Sequence, residues 1–246
     1  MSGHSKWAQI KHQKGVKDQR KGMVFSKMAR LIAVAARGGA EPSGNFKLRL
    51  AVDQAKAAGM PKDNIERAIA KGAGTDTDGT GLQEISYEIY GPGGAAILVE
   101  CVTDNAKRTL GEVKALLVRT GSKLGSSGSV AYLFDKKGTL YVDVLQSRAK
   151  VPKSMEDMEL DLIETGAEDV RAIGEEALQM IVAPDAVESC RQSLLNKGYT
   201  VEKALIELVP RSTIKVESAA ATEQLQKLLA GLDDMDDVVE VYTNLA

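Results

Sequence analysis

Apolar residues recur along this chain with two different periods, and the change falls near residue 80. Before it, Val24, Phe25, Met28, Leu31, Ile32 and Ala35 return at intervals suited to one face of an amphipathic helix, which Gly38 and Gly39 end. That face leaves Lys27, Arg30 and Arg37 on the opposite one. A second helix is predicted from Asn45 as N-cap through Leu48, Val52 and Ala55 to Gly59. A third opens at Pro61, carries Ile65 and Ile69 on one side and stops at Gly72. Short helices of this kind bury their stripes against one another, so 1–75 reads as a three-helix bundle. The stretch 72–81 is Gly, Thr and Asp with no apolar residue larger than Ala, and it reads as a linker.

Beyond the linker the period becomes two. Ile85, Tyr87 and Ile89 alternate, GPGG at 91–94 turns the chain, and AAILVECV at 95–102 reads as a buried strand. Thr103 or Asp104 is the expected cap of a helix carrying Leu110, Val113 and Leu117 and ending at Gly121, with a strand at 129–134 after it. Strand 140–144, helix 155–165, strands 169–173 and 178–182, helix 185–196 and strand 201–208 then follow in the order βαββαβ, the ferredoxin-like arrangement. A helix at 217–231 and a strand at 238–242 remain, and the ββαβ piece at 82–134 needs one of each to fill its sheet. The expected fold is therefore α+β, an N-terminal three-helix bundle followed by two α+β domains. The middle domain spans 76–135 plus 210–246, and the ferredoxin-like domain at 136–209 is inserted in it.

Charge sharpens this division. The 246-residue chain is slightly acidic overall, with a formal net charge of -2. Residues 1–75 nevertheless hold 15 Lys and Arg against 5 Asp and Glu, while the remainder holds 17 against 29. The bias is steepest in 1–37, nine bases to one acid, which suggests a nucleic-acid-facing module joined to acidic domains with other work. Lys6, Lys11, Lys14, Lys17, Arg20 and Lys21 are the candidate phosphate contacts of an N-terminal arm. His12 lies among them, and Trp7 either stacks on a base or staples the arm to the bundle. Lys27, Arg30 and Arg37 extend the candidate surface along the first helix.

Other chemistry is poorly supplied. His4 and His12 stand eight positions apart with no cysteine near them and no carboxylate before Asp18, so no metal site is expected. Cys101 and Cys190 lie in apolar surroundings and read as reduced, buried thiols. The glycines of YGPGG precede a strand rather than a helix and lack a following Gly-Lys-Ser/Thr, so they read as a hairpin turn and not a phosphate loop. GSKLGSSG at 121–128 reads as a second Gly/Ser loop with conformational freedom. Glu88, Glu100 and Asp104 are the carboxylates a metal-dependent hydrolase would use, but no histidine follows His12 to serve as base. The run Asp233, Asp234, Asp236, Asp237 reads most simply as a solvated turn before the last strand, with repulsion of nucleic acid or contact with a basic partner as the alternatives. The start of the chain shows no secretory signal and is Lys-rich rather than Arg- and Ser-rich, unlike a mitochondrial leader. No apolar run approaches the ~18 residues of a membrane span.

Several longer stretches carry a family pattern: GHSKWAQIKHQKG, KGMVFSKMAR, AVAARGG, MPKDNIERAIAKG, YEIYGPGGAAILVECVTDNAKRT and GSVAYLF. Together they resemble the YebC family, in register to about residue 134 and more loosely through IETGAEDV and the acidic C-terminal segment. The resemblance implies a helical N-terminal domain, two α+β domains and a cytoplasmic, cofactor-free, DNA-binding protein with no enzymatic activity. Family members are known as probable transcriptional regulatory proteins, and some relatives act in translation. The expected function is thus non-enzymatic DNA binding in transcription regulation, with no small-molecule substrate and no membrane contact. Binding of ribosomal or transfer RNA during elongation is the alternative, and the acidic domains are left for a protein partner.

Overall fold

The computed structural model describes residues 17–74 and 81–246, with side chains from residue 22 onward. It divides into two compact units. One is Phe134–Arg211; the other combines the described residues before 134 with Ser212–Ala246.

The second, larger unit begins with three helices: α1 (Lys17–Ala36), α2 (Phe46–Ala57) and α3 (Lys62–Gly72). Their apolar stripes meet in a core of Ile32, Leu48, Val52, Ala55, Met60 and Ile65. Asn45 serves two helices at once. Its Nδ2 donates to the carbonyls of Ala35 (2.7 Å) and Gly39 (2.8 Å) at the end of α1, and its Oδ1 accepts from the Leu48 amide at the start of α2. Pro61 stands one position earlier than expected, as the extended N-cap of α3. Backbones of α1 and α3 touch at Gly72, where a Cβ would lie 2.0 Å from the Ala33 carbonyl oxygen.

An antiparallel sheet in the order β3-β1-β2-β8 follows, built from β1 (Gln83–Tyr90), β2 (Ala96–Thr103), β3 (Lys123–Leu124) and β8 (Val238–Thr243). Helices α4 (Ala106–Thr120) and α8 (Ala219–Asp233) cover one face, burying Ile89, Ile97, Val99, Val113, Leu117 and Leu228. The β1–β2 connection is the expected hairpin, with Gly93 and Gly94 at φ 70° and 81°. A Cβ on Gly93 would also strike Val216 at 2.7 Å.

Three expectations are corrected in this unit. The cap of α4 is Asn105, whose side chain accepts from the Arg108 amide, and not Thr103 or Asp104. The strand expected at 129–134 does not form, apart from Phe134, which opens the next strand: Ala131–Leu133 is a 3₁₀ turn, and the third strand of this sheet is the two-residue β3. The cause is Glu88, a buried carboxylate on β1 that accepts the backbone N–H groups of Gly128, Val130 and Ala131 (2.8 Å to the last). Those donors are therefore not offered to a neighbouring strand. The same grip pins the 121–128 loop that was expected to move freely. Gly125 donates to the Glu88 carbonyl at 2.7 Å, and a Cβ there would lie 2.3 Å from Ser129 Oγ.

Phe134–Arg211 carries the βαββαβ order as β4 (Phe134–Asp143), α6 (Met155–Glu164), β5 (Asp169–Ile173), β6 (Ala177–Val182), α7 (Val187–Asn196) and β7 (Thr200–Pro210). A short helix, α5 (Val144–Arg148), not anticipated from the pattern, sits directly after β4. The sheet order β5-β6-β4-β7, antiparallel throughout, is that of a ferredoxin-like fold. Leu140, Val142, Met158, Leu162, Met180 and Leu194 are fully buried in it.

Candidate nucleic-acid interface

Of the eleven candidate contacts, Lys6, Trp7, Lys11, His12 and Lys14 lie outside the described residues. Lys17, Arg20 and Lys21 fall in the opening turns of α1, and their side chains also lie outside the described residues. Of the remaining three, Lys27 and Arg30 are partly buried in ion pairs, and Arg37 stays exposed. Lys27 Nζ donates to the Asp233 carbonyl and sits 3.4 Å from its Oδ1, with only 13% of the lysine side chain exposed. Arg30 Nη2 lies 3.1 Å from Oδ1 of Asp237, a residue 3% exposed. Arg37 donates to the carbonyl of Leu82, just ahead of β1.

Asp237 is the centre of this arrangement. Its Oδ2 accepts from Arg108 Nη2 (2.8 Å), Thr109 Oγ1 (2.7 Å) and Thr103 Oγ1 (3.0 Å), while Oδ1 faces Arg30. Burial alone would raise the Asp237 carboxyl, but bonds from Arg108, Thr109 and Thr103 and the charge of Arg30 outweigh it, holding it below the ordinary carboxylate value. Arg108 also reaches Asp104 at 2.8 Å, and those two carboxylates hold its guanidinium more firmly protonated than usual. The acidic run is thus only in part a solvated turn: Asp234 and Asp236 are exposed, whereas Asp233 is half-buried and Asp237 buried. It meets its basic partner within the same chain, on α1.

The suggested carboxylate cluster does not assemble either. Glu88 holds loop backbone, and its pKa sits below the usual value because the Val130, Ala131 and Gly128 amides outweigh the upward push of burial. Asp104 pairs with Arg108, and Glu100 faces Ser86 across the β1–β2 ladder. Cys101 and Cys190 are buried free thiols, with Cys101 pushed up to about 12 chiefly by burial.

A cleft of about 570 Å³ opens between α1 and α3. Helical spacing builds both walls. Ser26, Ala29 and Ala33 present small side chains from α1, and Asn64, Arg67 and Lys71 line the α3 side. Phe25 and Met60 add apolar surface, while Leu82 and Asp104 also line the cleft. Arg30 borders it as well, and its Nη1 is shielded from solvent without a hydrogen-bond partner among the described residues. Arg67 and Lys71 were not singled out from the sequence, although their spacing with Asn64, opposite buried Ile65, marks one polar face of KDNIERAIAKG.

Two family models match this chain: the TACO1/YebC protein N-terminal domain over residues 5–75, and the TACO1/YebC second and third domain over 82–245. The chain belongs to the TACO1/YebC family. Similar TACO1/YebC-type relatives include a "Probable transcriptional regulatory protein" of Desulforamulus reducens, 44% identical over 99% of this chain and 98% of its own. Another of the same description, from Geobacter sulfurreducens, is 45% identical over 99% of this chain and 95% of its own. The crystal structure of a conserved hypothetical protein from Aquifex aeolicus matches with a TM-score of 0.86 and 42% identity, covering 98% of this chain and 96% of that one. Within this TACO1/YebC chain the Asp237 cluster joins the two matched segments. Arg30 comes from the first, and Arg108 and Asp237 from the second.

Proposed function

We propose that this protein is a non-enzymatic, DNA-binding regulator of transcription that grips the phosphate backbone through its N-terminal arm and the start of α1. The observation that carries this reading is the charge split, nine bases to one acid in residues 1–37 of a chain that is acidic beyond residue 75. The names of the relatives support it. Pairing of Lys27 and Arg30 with Asp233 and Asp237 concentrates the assignment on Lys6, Lys11, Lys14, Lys17, Arg20 and Lys21. Phosphate contacts position a protein on its target without specifying sequence, so affinity is assigned here and base preference is not.

The test is a gel shift with a labelled promoter duplex across a salt titration. With six phosphate contacts, affinity should fall roughly 10³-fold between 50 and 200 mM salt. Replacing Lys11, Lys14, Arg20 and Lys21 by Ala should weaken binding on every duplex and flatten that dependence. Unchanged affinity in the quadruple variant would sink the assignment. Loss of duplex binding at physiological salt with retained co-sedimentation on ribosomes would move the target from DNA to RNA.

A further inference from the structure

We infer that the cleft between α1 and α3 is a nucleotide subsite. It takes one unpaired nucleotide of a single strand, with the base against the apolar lining and a phosphate on Arg67 and Lys71. This rests on the nucleic-acid reading above and adds to it a base-level contact away from the arm.

The cleft is an open groove with room for a base and a phosphate. Its volume of about 570 Å³ lies within the ~300–1,000 Å³ range of small-ligand pockets. Small residues on α1 leave the space open, and the Gly72–Ala33 backbone contact fixes how closely α1 and α3 approach. Phe25, Ala29 and Met60 supply the apolar and aromatic surface on which a base rests, and stacking of this kind accepts any base. Stacked bases of a duplex are not available to it.

The cations select the anion. Arg67 and Lys71 are exposed, and among the described residues neither forms an ion pair; Arg67 bonds the neutral Asn64 side chain and Asp63 carbonyl. Nearby Glu66 leans instead toward Lys62 at 3.4 Å. Asp104, the acid bordering the cleft, is held by Arg108. Arg30, also on the lining, shares Asp237 with Arg108, and its Nη1 has no hydrogen-bond partner among the described residues. The lining thus pairs a positive rim with an apolar floor. A wholly acidic peptide, with no apolar side chain, would answer the rim and leave the floor unused.

The experiment uses the full chain and a fluorescein-labelled 12-nucleotide single strand, alongside the same strand made abasic and a second carrying 4-thiouracil. Wild type should bind the ordinary strand more tightly than the abasic one. Arg67→Ala with Lys71→Ala should cut affinity on the order of tenfold and flatten the salt slope by about 0.7, the share of the one phosphate lost on a single strand. Photocrosslinks should map to 22–33 and 60–71. An unchanged salt slope in the double variant, equal affinity for the abasic strand, or crosslinks confined to other segments would overturn the subsite. If wild type binds nucleic acid and only the arm variant loses affinity, the subsite falls and the proposed function stands. If wild type binds neither single strand nor duplex, both fall together.

Discussion

Asp237 shows how a single side chain can change the meaning of a sequence pattern. In sequence it belongs to a run of four acids in five positions, and such runs are usually solvated. In the fold it is buried and bridges Arg30, 207 positions earlier, to Arg108, a pairing that no local periodicity encodes. Thr103 was misread for the same reason. It looked like a helix cap, but its hydroxyl donates to Asp237 and accepts from the Asn105 amide, which leaves the capping to Asn105. Removing Asp237 leaves the Thr103 and Thr109 hydroxyls without their acceptor and Arg30 without its carboxylate, while Arg108 keeps Asp104, so Asp237→Ala should destabilise the larger unit by about 1–3 kcal/mol. Urea denaturation of wild type and variant checks this; a change under about 1 kcal/mol would mean the freed groups find water instead.

At the scale of elements, periodicity was a good guide to what forms and a poor one to where it faces. The three N-terminal helices, the hairpin at GPGG and the βαββαβ order were all legible, because each rests on local patterning and punctuation by Gly, Pro and Asn. The outward placement of Lys27 and Arg30 was not. An amphipathic stripe identifies one buried face, whereas α1 is packed on two sides, against α2 and α3 and against the Asp233–Asp237 segment. The false strand at 129–134 has a parallel cause, a side chain on another strand claiming its amides. The α1–α3 contact gives the sharpest element-level test. Gly72→Ala improves helix propensity by up to ~1 kcal/mol, yet its Cβ would meet backbone at 2.0 Å. The clash should win, with a net loss of about 1–3 kcal/mol by thermal denaturation. A stabilised variant would show that the two helices can separate freely.

Across the whole molecule, the basic-to-acidic division was visible in composition, but the fold partly folds it back on itself by setting α1 against the acidic run. Acid stability should report those carboxylates. Asp237 and Glu88 in one unit and Asp161 in the other, the last held mainly by Lys153 and Tyr199, all have pKa values below their ordinary ones. The folded chain therefore binds fewer protons than the unfolded one, and their contribution is fully present above the unfolded values of about 4. It drains away as the pH falls below that toward the lowered folded values. Thermal melts should be flat in this respect from pH 7 to about 5 and fall below about 4, less steeply in Asp237→Asn; a melting temperature constant down to pH 3 would contradict it. The neighbour of β2 on the side away from β1 is β8, and Asp237 lies just ahead of it. On a chain emerging from the ribosome, then, β2 waits with an unpaired edge, and Lys27 and Arg30 wait without their carboxylates, until more than 200 residues have been made. The nascent protein is for that interval a more cationic and stickier object than the finished one, and its last thirty or so residues act as the cover that quiets it.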